Sequence, residues 1–346
     1  MMNRWTRLPL IALVLALLAA ACGGDDAGTA DADAGAAPEV TDVRVTQAVV
    51  SLAFLPIYVA RSQGFFEDQG LSVEQIVTAG GGPDLQALLS GDAEFNAGAG
   101  NYQINAFREG QAVENVYNYM NRSIINVVMS TEAAEAAGVD ADSPLDKKLA
   151  ALEGLTIGVT RPGSLTDATA RFLVQQAGLD PDSDVQIIGV GGGAAIVAAL
   201  QQGQVEAIVI SSPISEQAAS QAGIMLINNA AGAVGALDPF MMENIYVRPD
   251  FAEENPNTVA AFVRAIEAAN AWAAERSPEE IADAVASDFG EMDRAVLVSA
   301  LTNVIEALSS DGELSEQAVE NTLQMLGEQE IGVSDVLGLF NDRFLP

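Results

Sequence analysis

Apolar and polar residues alternate through "VRVTQAVV" (Val43–Val50), a period of two that predicts a strand. Ser51 to Phe54 read as a loop. Pro56 suits the first turn of a helix, Leu55, Tyr58, Val59 and Ser62 share one face of it, and Gly64 stops it. Leu71–Val77 is the next strand. Gly80, Gly81 and Gly82 with Pro83 open a helix that Gly91 ends, and Ala93–Gly98 is a short strand. A helix over Tyr102–Arg108 follows, then β-like runs at Val113–Tyr119 and Ile124–Met129.

A second series begins at Gly154–Thr160, a strand. Ser164 is a good N-cap with Asp167 at the third helical position, and Leu165, Ala168 and Phe172 lie on one face of the helix that Gly178 ends. "DVQIIGV" is a strand, Gly191 to Gly193 open a helix, and Gly203 closes it. "VEAIVIS" is a strand, "SPISEQAASQAG" a helix, and Ile224–Ile227 a short strand.

The two series match. Each runs strand, loop, helix, Gly-Leu, strand, three glycines, helix, Leu-x-x-Gly-x-(Ala/Val)-Glu, strand. Such βαβαβ units form parallel sheets with right-handed crossovers. The pattern therefore predicts two similar α/β lobes with mostly parallel sheets, followed by a helical C-terminal part. From Glu243 a short strand in "MENIYVRPDF" gives way to helices, among them one with a capping box at Ser277 and Glu280. We place lobe 1 at residues 41–131 and 243–346, and lobe 2, with the hinge segments, at 132–242.

The N-terminus stands apart. Arg4 and Arg7 precede an apolar run, Leu8 to Ala21, too short for the roughly 20 residues of a spanning helix. Residues 1–21 read as an export signal. Cys22, the sole cysteine, sits where a bacterial lipobox places its acylated residue, although Ala19 stands where Leu is usual. Residues 22–40 are rich in Gly, Ala and Asp and read as a flexible tether. The expected location is the outer face of the cell membrane or the periplasm, with Cys22 carrying the lipid.

Charge and composition narrow the function. Asp and Glu number 48 against 15 Lys and Arg, a formal net charge of −33. That argues against nucleic acid, which needs a basic footprint. The chain holds no histidine. Ser-His-Asp and Cys-His catalysis and His-based metal sites are thereby excluded. We expect no enzyme, no cofactor and no metal. "IIGVGGGAAIVAAL" has the outline of a dinucleotide fingerprint, but its second strand ends in "IVISSP" without the acidic residue the ribose requires.

Candidate ligand contacts follow from topology. Ser51, Gly80–Gly82, Asn101, Ser164, Leu165, Thr166, Gly192 and Ser211 fall where parallel strands give way to helices, and ligands bind at such carboxyl ends. Helix N-termini there offer N–H donors. Phe54, Tyr102 and Tyr246 are the aromatics at element ends.

The block "FLPIYVARSQGFFEDQGLSVEQIVTAGGGPDLQALLSGDAEF" resembles the N-terminal part of type II periplasmic binding proteins. The shared pattern is Pro-x-Tyr-x-Ala, Gly-Phe-Phe, Gly-Leu, a Gly-rich loop and Leu-x-x-Gly. The likeness is to the nitrate, sulfonate, taurine and pyrimidine-precursor binders of ABC importers, and it spans residues 43 to 345. It implies two lobes joined by a hinge, a cleft between them, two crossovers, hinge closure on a small ligand and delivery to an ABC permease. It places contacts at Ser51–Phe54, Gly80–Gly82, Asn101, Ser164–Thr166 and near Tyr246. The His and Cys cluster of pyrimidine-making relatives is absent. The expected ligand is a sulfonate, a carboxylate or a heteroaromatic, bound by a monomer. The alternatives are an extracellular sensor domain and a secreted enzyme on the same fold.

Overall fold

The computed structural model describes residues 36–78, 82–290 and 292–345. The export signal, Cys22, most of the tether, Gly80 and Gly81 lie outside the described residues.

In chain order the strands are β1 (Asp42–Gln47), β2 (Ser72–Val77), β3 (Phe95–Ala99), β4 (Glu114–Met120), β5 (Ile125–Ser130), β6 (Thr156–Val159), β7 (Gln186–Gly189), β8 (Ala207–Ser211), β9 (Gly223–Ile227) and β10 (Glu243–Val247). They form two five-stranded sheets, ordered β2-β1-β3-β10-β4 and β7-β6-β8-β5-β9. In the first, β1 is parallel to β2 and β3, while β10 runs antiparallel to β3 and β4. The second repeats the plan, with β5 as its reversed strand. Each sheet is thus mixed: one strand opposes the direction that the others share.

The first crossing comes earlier than the sequence suggested. The sequence pattern places residues up to 131 in lobe 1, yet β5 pairs with β8 and β9 in the second sheet. Only residues 121–124 separate β4 from β5. Both strands are apolar, and alternation records that a run is extended, not which sheet receives it. The return crossing, 228–242, lies beside the first. Phe240 N donates to Asn121 O (2.7 Å), Ser123 N to Leu237 O (3.1 Å) and Met242 N to Met120 O (3.2 Å). Arg122 pairs with Asp238 across the same gap at 2.8 Å. The hinge is therefore two adjacent strands of chain bonded to each other.

The C-terminal segment builds onto both lobes. Helix Pro256–Ala274 buries Val259, Phe262, Val263 and Ile266. Phe262 stacks on Phe95 of β3 (centroids 4.0 Å apart) and meets Phe66 at 5.1 Å. Glu39 caps this helix by accepting from Thr258 N (2.8 Å), which ties the start of the body to its end. Helices Arg294–Val304 and Glu316–Leu326 also touch helices of the second lobe, Ile214–Ala222 and Leu165–Gln176. Among the described residues no helix is long and apolar enough to cross a membrane.

Gly64 shows why the chain turns where it does. At φ +80° it closes helix Leu55–Gln63 and opens the short helix Phe65–Asp68. A side chain there would be strained by the left-handed backbone. The turn drops Phe66 into the core, where it is 2% exposed.

Candidate functional site

The carboxyl ends of the same-direction strands in the two sheets face one another, as open α/β sheets place their ligand sites. Between them lies a cavity of about 90 Å³ with walls from both lobes. The first lobe contributes Val49, Ser51, Phe54, Tyr102 and Glu243, and the second Thr160, Ser164, Leu165, Thr166 and Ser211. An outer groove of about 180 Å³ adjoins it, shares Tyr102 and Ser164, and adds Gly82, Asn101 and Arg161.

Local chemistry explains the placement. Gln47 Nε2 donates to Val49 O (2.7 Å), which ends β1 and turns the chain into the cavity wall. Ser51, extended at φ −158°, caps the turn Leu52–Phe54 by accepting from Ala53 N. The Tyr58 hydroxyl accepts from Gln47 Nε2 (2.7 Å) and pins this loop to its helix. Burial pushes the Tyr58 phenol up to about 12. Ser164 caps helix Leu165–Gln176 and accepts from Asp167 N. That helix thus brings its first-turn N–H groups to the wall.

The lobes touch directly. Ser51 Oγ donates to Ser212 O (2.9 Å), and Leu52 N donates to the same carbonyl (3.1 Å). Ser51 and Ser211 hydroxyls are also bonded at 2.9 Å. A hydroxyl has one proton. Ser51 gives its own to Ser212, so Ser211 is the donor in the pair.

Thr160, Ser164 and Thr166 form a second hydroxyl cluster. Thr160 donates to Ser164 (2.9 Å), and Ser164 donates to Arg161 O (2.8 Å). Thr166 stands 2.9 Å from Thr160 and 2.8 Å from Ser164 and donates to one of them. All three protons are spent inside the cluster.

Glu243 was not among the expected contacts. It opens β10, opposite Ala99 at the end of β3. Because β10 is reversed, its first residue lies at the carboxyl ends of its neighbours. A register shift between Glu243 and Asn244 in the β10–β4 pairing marks a bulge, a device that re-aims side chains. Glu243 is 5% exposed, and its Oε2 is buried without a hydrogen-bond partner. Burial pushes its carboxyl well above the usual carboxylate range, and the negative charge of Asp84 adds to the rise. Asp84 is raised by its own burial. The Tyr102 phenol is pushed well up by burial and by these two acids. In sequence Glu243 was a lone carboxylate inside the apolar run "FMMENIYV", the one signal that could have singled it out.

Of the expected contacts, the cavity gathers Ser51, Phe54, Tyr102, Ser164, Leu165, Thr166 and Ser211. Gly82 and Asn101 line the outer groove. Two stand elsewhere. Gly192 follows β7, the edge strand of its sheet, and is outside both linings. Tyr246 points into lobe 1, fully buried, with its hydroxyl on Ala99 O (3.2 Å). Its position near an element end suggests a cleft residue, but its place within β10 turns it to the core beside Leu85, Leu88 and Ala106. Among the described residues no cluster of three or more His, Cys, Asp or Glu is placed to hold a metal.

The family profile described as NMT1/THI5 like matches residues 51–281, which includes both sheets except β1 and the hinge between them. The chain belongs to the NMT1/THI5-like family. Among relatives, this NMT1/THI5-like chain is 24% identical over 303 residues to YtlA of Bacillus subtilis (strain 168), covering 87% of this chain and 84% of YtlA. It is 24% identical to the nitrate/nitrite binding protein NrtA of Nostoc sp. (strain PCC 7120 / SAG 25.82 / UTEX 2576), covering 76% of this chain and 61% of NrtA. In fold it is similar to the alkanesulfonate-binding protein SsuA of Xanthomonas axonopodis pv. citri bound to MOPS. The TM-score is 0.68 at 15% identity, over 88% of this chain and 99% of that one. The architecture is that of the periplasmic binding proteins: two α/β lobes with mixed sheets.

Proposed function

We propose that this protein is the solute-binding component of an ABC importer, which captures a small organic molecule between its lobes and presents it to a permease. The observation that carries the reading is the cavity whose walls come from both lobes. A ligand that touches both walls makes all its contacts only when the lobes are together, so binding favours closure. The names of NrtA and SsuA, a nitrate/nitrite binder and an alkanesulfonate binder, support a transport ligand. Capture and release need no bond-making, which agrees with a chain without histidine. We further propose that the protein is exported as a monomer and held at the membrane by a lipid on Cys22.

Native mass spectrometry of the purified protein, followed by a thermal-shift panel, tests the reading. A bound compound should be recovered chemically unchanged, and its addition should raise Tm with concentration. Recovery of a converted product would overturn it in favour of an enzyme. Cys22→Ala should move the protein from the membrane fraction to the soluble fraction; a variant that stays membrane-bound removes the anchor from the proposal.

A further inference from the structure

Behind the contact between the lobes lies a polar network in lobe 2, none of whose members lines the cavity. Ser212 is its node. The Ser212 carbonyl accepts from both lobe 1 donors, Ser51 Oγ and Leu52 N. Its N–H donates to Ile124 O (3.2 Å), the last residue of the first crossing. Ser212, Ser215 and Asn126 are fully buried, and Glu216 is partly buried. The two serine hydroxyls each stand 2.8 Å from Glu216, Ser212 at Oε1 and Ser215 at Oε2.

One backbone group fixes the direction of every proton here. Ala230 N, in the return crossing, donates to Asn126 Oδ1 (3.2 Å). Asn126 Nδ2 therefore turns its two hydrogens to Ser212 Oγ (3.2 Å) and Ser215 Oγ (3.0 Å). Each hydroxyl accepts there and has one proton left to give. Both protons go to Glu216, one to each oxygen. That arrangement is complete for a carboxylate, which accepts at both oxygens. A proton on either oxygen competes with the hydroxyl already pointing at it. It also removes the charge that makes these bonds roughly twice as strong as neutral ones.

The neighbouring elements bring no opposing charge. Glu216 is the one charged residue of helix Ile214–Ala222. That helix packs against β5, β8, β9, helix Ala194–Gln201 and helix Arg294–Val304. The strands and the first of those helices carry no charged residue, and Arg294 is engaged by Asp283 at the surface. Burial raises the Glu216 carboxyl above its ordinary value, against the pull of the two hydroxyls.

We propose that Glu216 is a positioning residue for lobe closure and makes that closure pH-sensitive. Ionised, it clamps the Ser212 hydroxyl and aims the Ser212 carbonyl at Ser51 and Leu52. Protonated, it loosens the clamp, and the lobes hold one another less tightly. The contact is strongest at high pH and weakens as pH falls through the raised value. The consequence for transport rests on the solute-binding reading: the protein grips its ligand at neutral pH and gives it up in acid.

Hydrogen exchange reads the interlobe bond through Leu52 N–H, whose acceptor is Ser212 O. The test uses the ligand-free, detergent-solubilised full chain and residue-level mass spectrometry, with exchange corrected for its intrinsic pH dependence. Leu52 protection in the parent should rise roughly threefold or more from pH 5 to pH 8. Glu216→Gln should stay at the pH 5 level throughout, while the amides of β8 exchange as in the parent. Ser215→Ala removes one of the two hydroxyls that favour the ionised form. It should move the midpoint of the profile to higher pH, a shift that a packing defect does not produce. A flat parent profile, a Leu52 N–H unprotected at every pH, or a Glu216→Gln variant with the parent's slope would overturn the inference. If Glu216→Gln loosens β8 as well, the Ser215→Ala midpoint decides, and an unshifted one overturns the proposal. No ligand is present, so each of these results leaves the solute-binding reading to its own test.

Discussion

The hydroxyl oxygens of Ser51 and Ser211 lie 2.9 Å apart, one just beyond β1 in the first lobe and the other at the end of β8 in the second. They are 160 residues apart in the chain. On the proposed closure of the lobes around a ligand, this contact forms as they come together, and its energy enters ligand affinity through closure. Ser211→Ala deletes one hydrogen bond, worth about 1 kcal/mol net, and should weaken ligand binding roughly fivefold with little change in the Tm of the free protein. Ser51→Ala also removes the cap on Ala53 N, so it should lower Tm as well. Paired calorimetric titrations and melts separate the two effects; equal Tm losses in both variants would show that the Ser211 contact is structural.

Glu243 makes stability depend on pH in a stated direction. Its folded carboxyl sits above the ordinary value because of burial and then Asp84. The folded state therefore holds a proton that the unfolded state releases, and stability falls as pH rises. The contribution is complete below the unfolded value of about 4.3 and is lost as pH climbs toward the raised folded value. In melts of the ligand-free protein from pH 5 to pH 8, Glu243→Gln should flatten the decline seen in the parent. A variant whose slope equals the parent's would place the titration elsewhere. Asp84, Glu216 and Glu267, also raised by burial, are the other carboxyls to substitute in that case.

Phe262 joins the C-terminal helix to β3 and to Phe66. Its ring is fully buried between them. Phe262→Ala should cost about 3–5 kcal/mol in chemical denaturation, the range for emptying an aromatic site in a packed core. Loss below about 1 kcal/mol would mean that the helix docks by its other contacts.

Gly312 has φ +71°, and a Cβ there would overlap the ring of Tyr117. Its N–H donates to Ser309 Oγ (3.0 Å), and its carbonyl accepts from Asn118 N (2.9 Å), so the loop cannot swing away cheaply. Gly312→Ala should destabilise by more than about 2 kcal/mol, from backbone strain and overpacking together. Urea denaturation measures it; a neutral result would show that Tyr117 has room to move.

Much of this architecture was written in local pattern. Alternation and glycine punctuation located the strands of both series to within a few residues, because a strand's period and a helix's stop are properties of neighbouring residues. The positions of the glycines at 64 and 91 as left-handed helix caps followed in the same way. Long-range placement was not local. The insertion of β10 between β3 and β4, and the transfer of β5 to the second sheet, depend on pairings across about 80 to 150 residues. The site divides along the same line. Ser51, Ser164 and Ser211 are recognisable in the sequence as residues where a strand gives way to a helix. Glu243 became a cleft residue only because a reversed strand delivers its first residue to the ends where the others finish. Tyr246, three residues on, is carried by the same strand into the lobe 1 core.

The position of β10 also sets the order in which the molecule can be completed. The strands of the second sheet lie between Ile125 and Ile227, so all of them have left the ribosome before Glu243 does. Until β10 arrives, β3 and β4 have a vacancy between them and no shared ladder. Domains generally form as units in order of synthesis. Here the lobe begun first is the lobe finished last, and a chain truncated near residue 240 would carry all five strands of the second sheet beside a first one split in two.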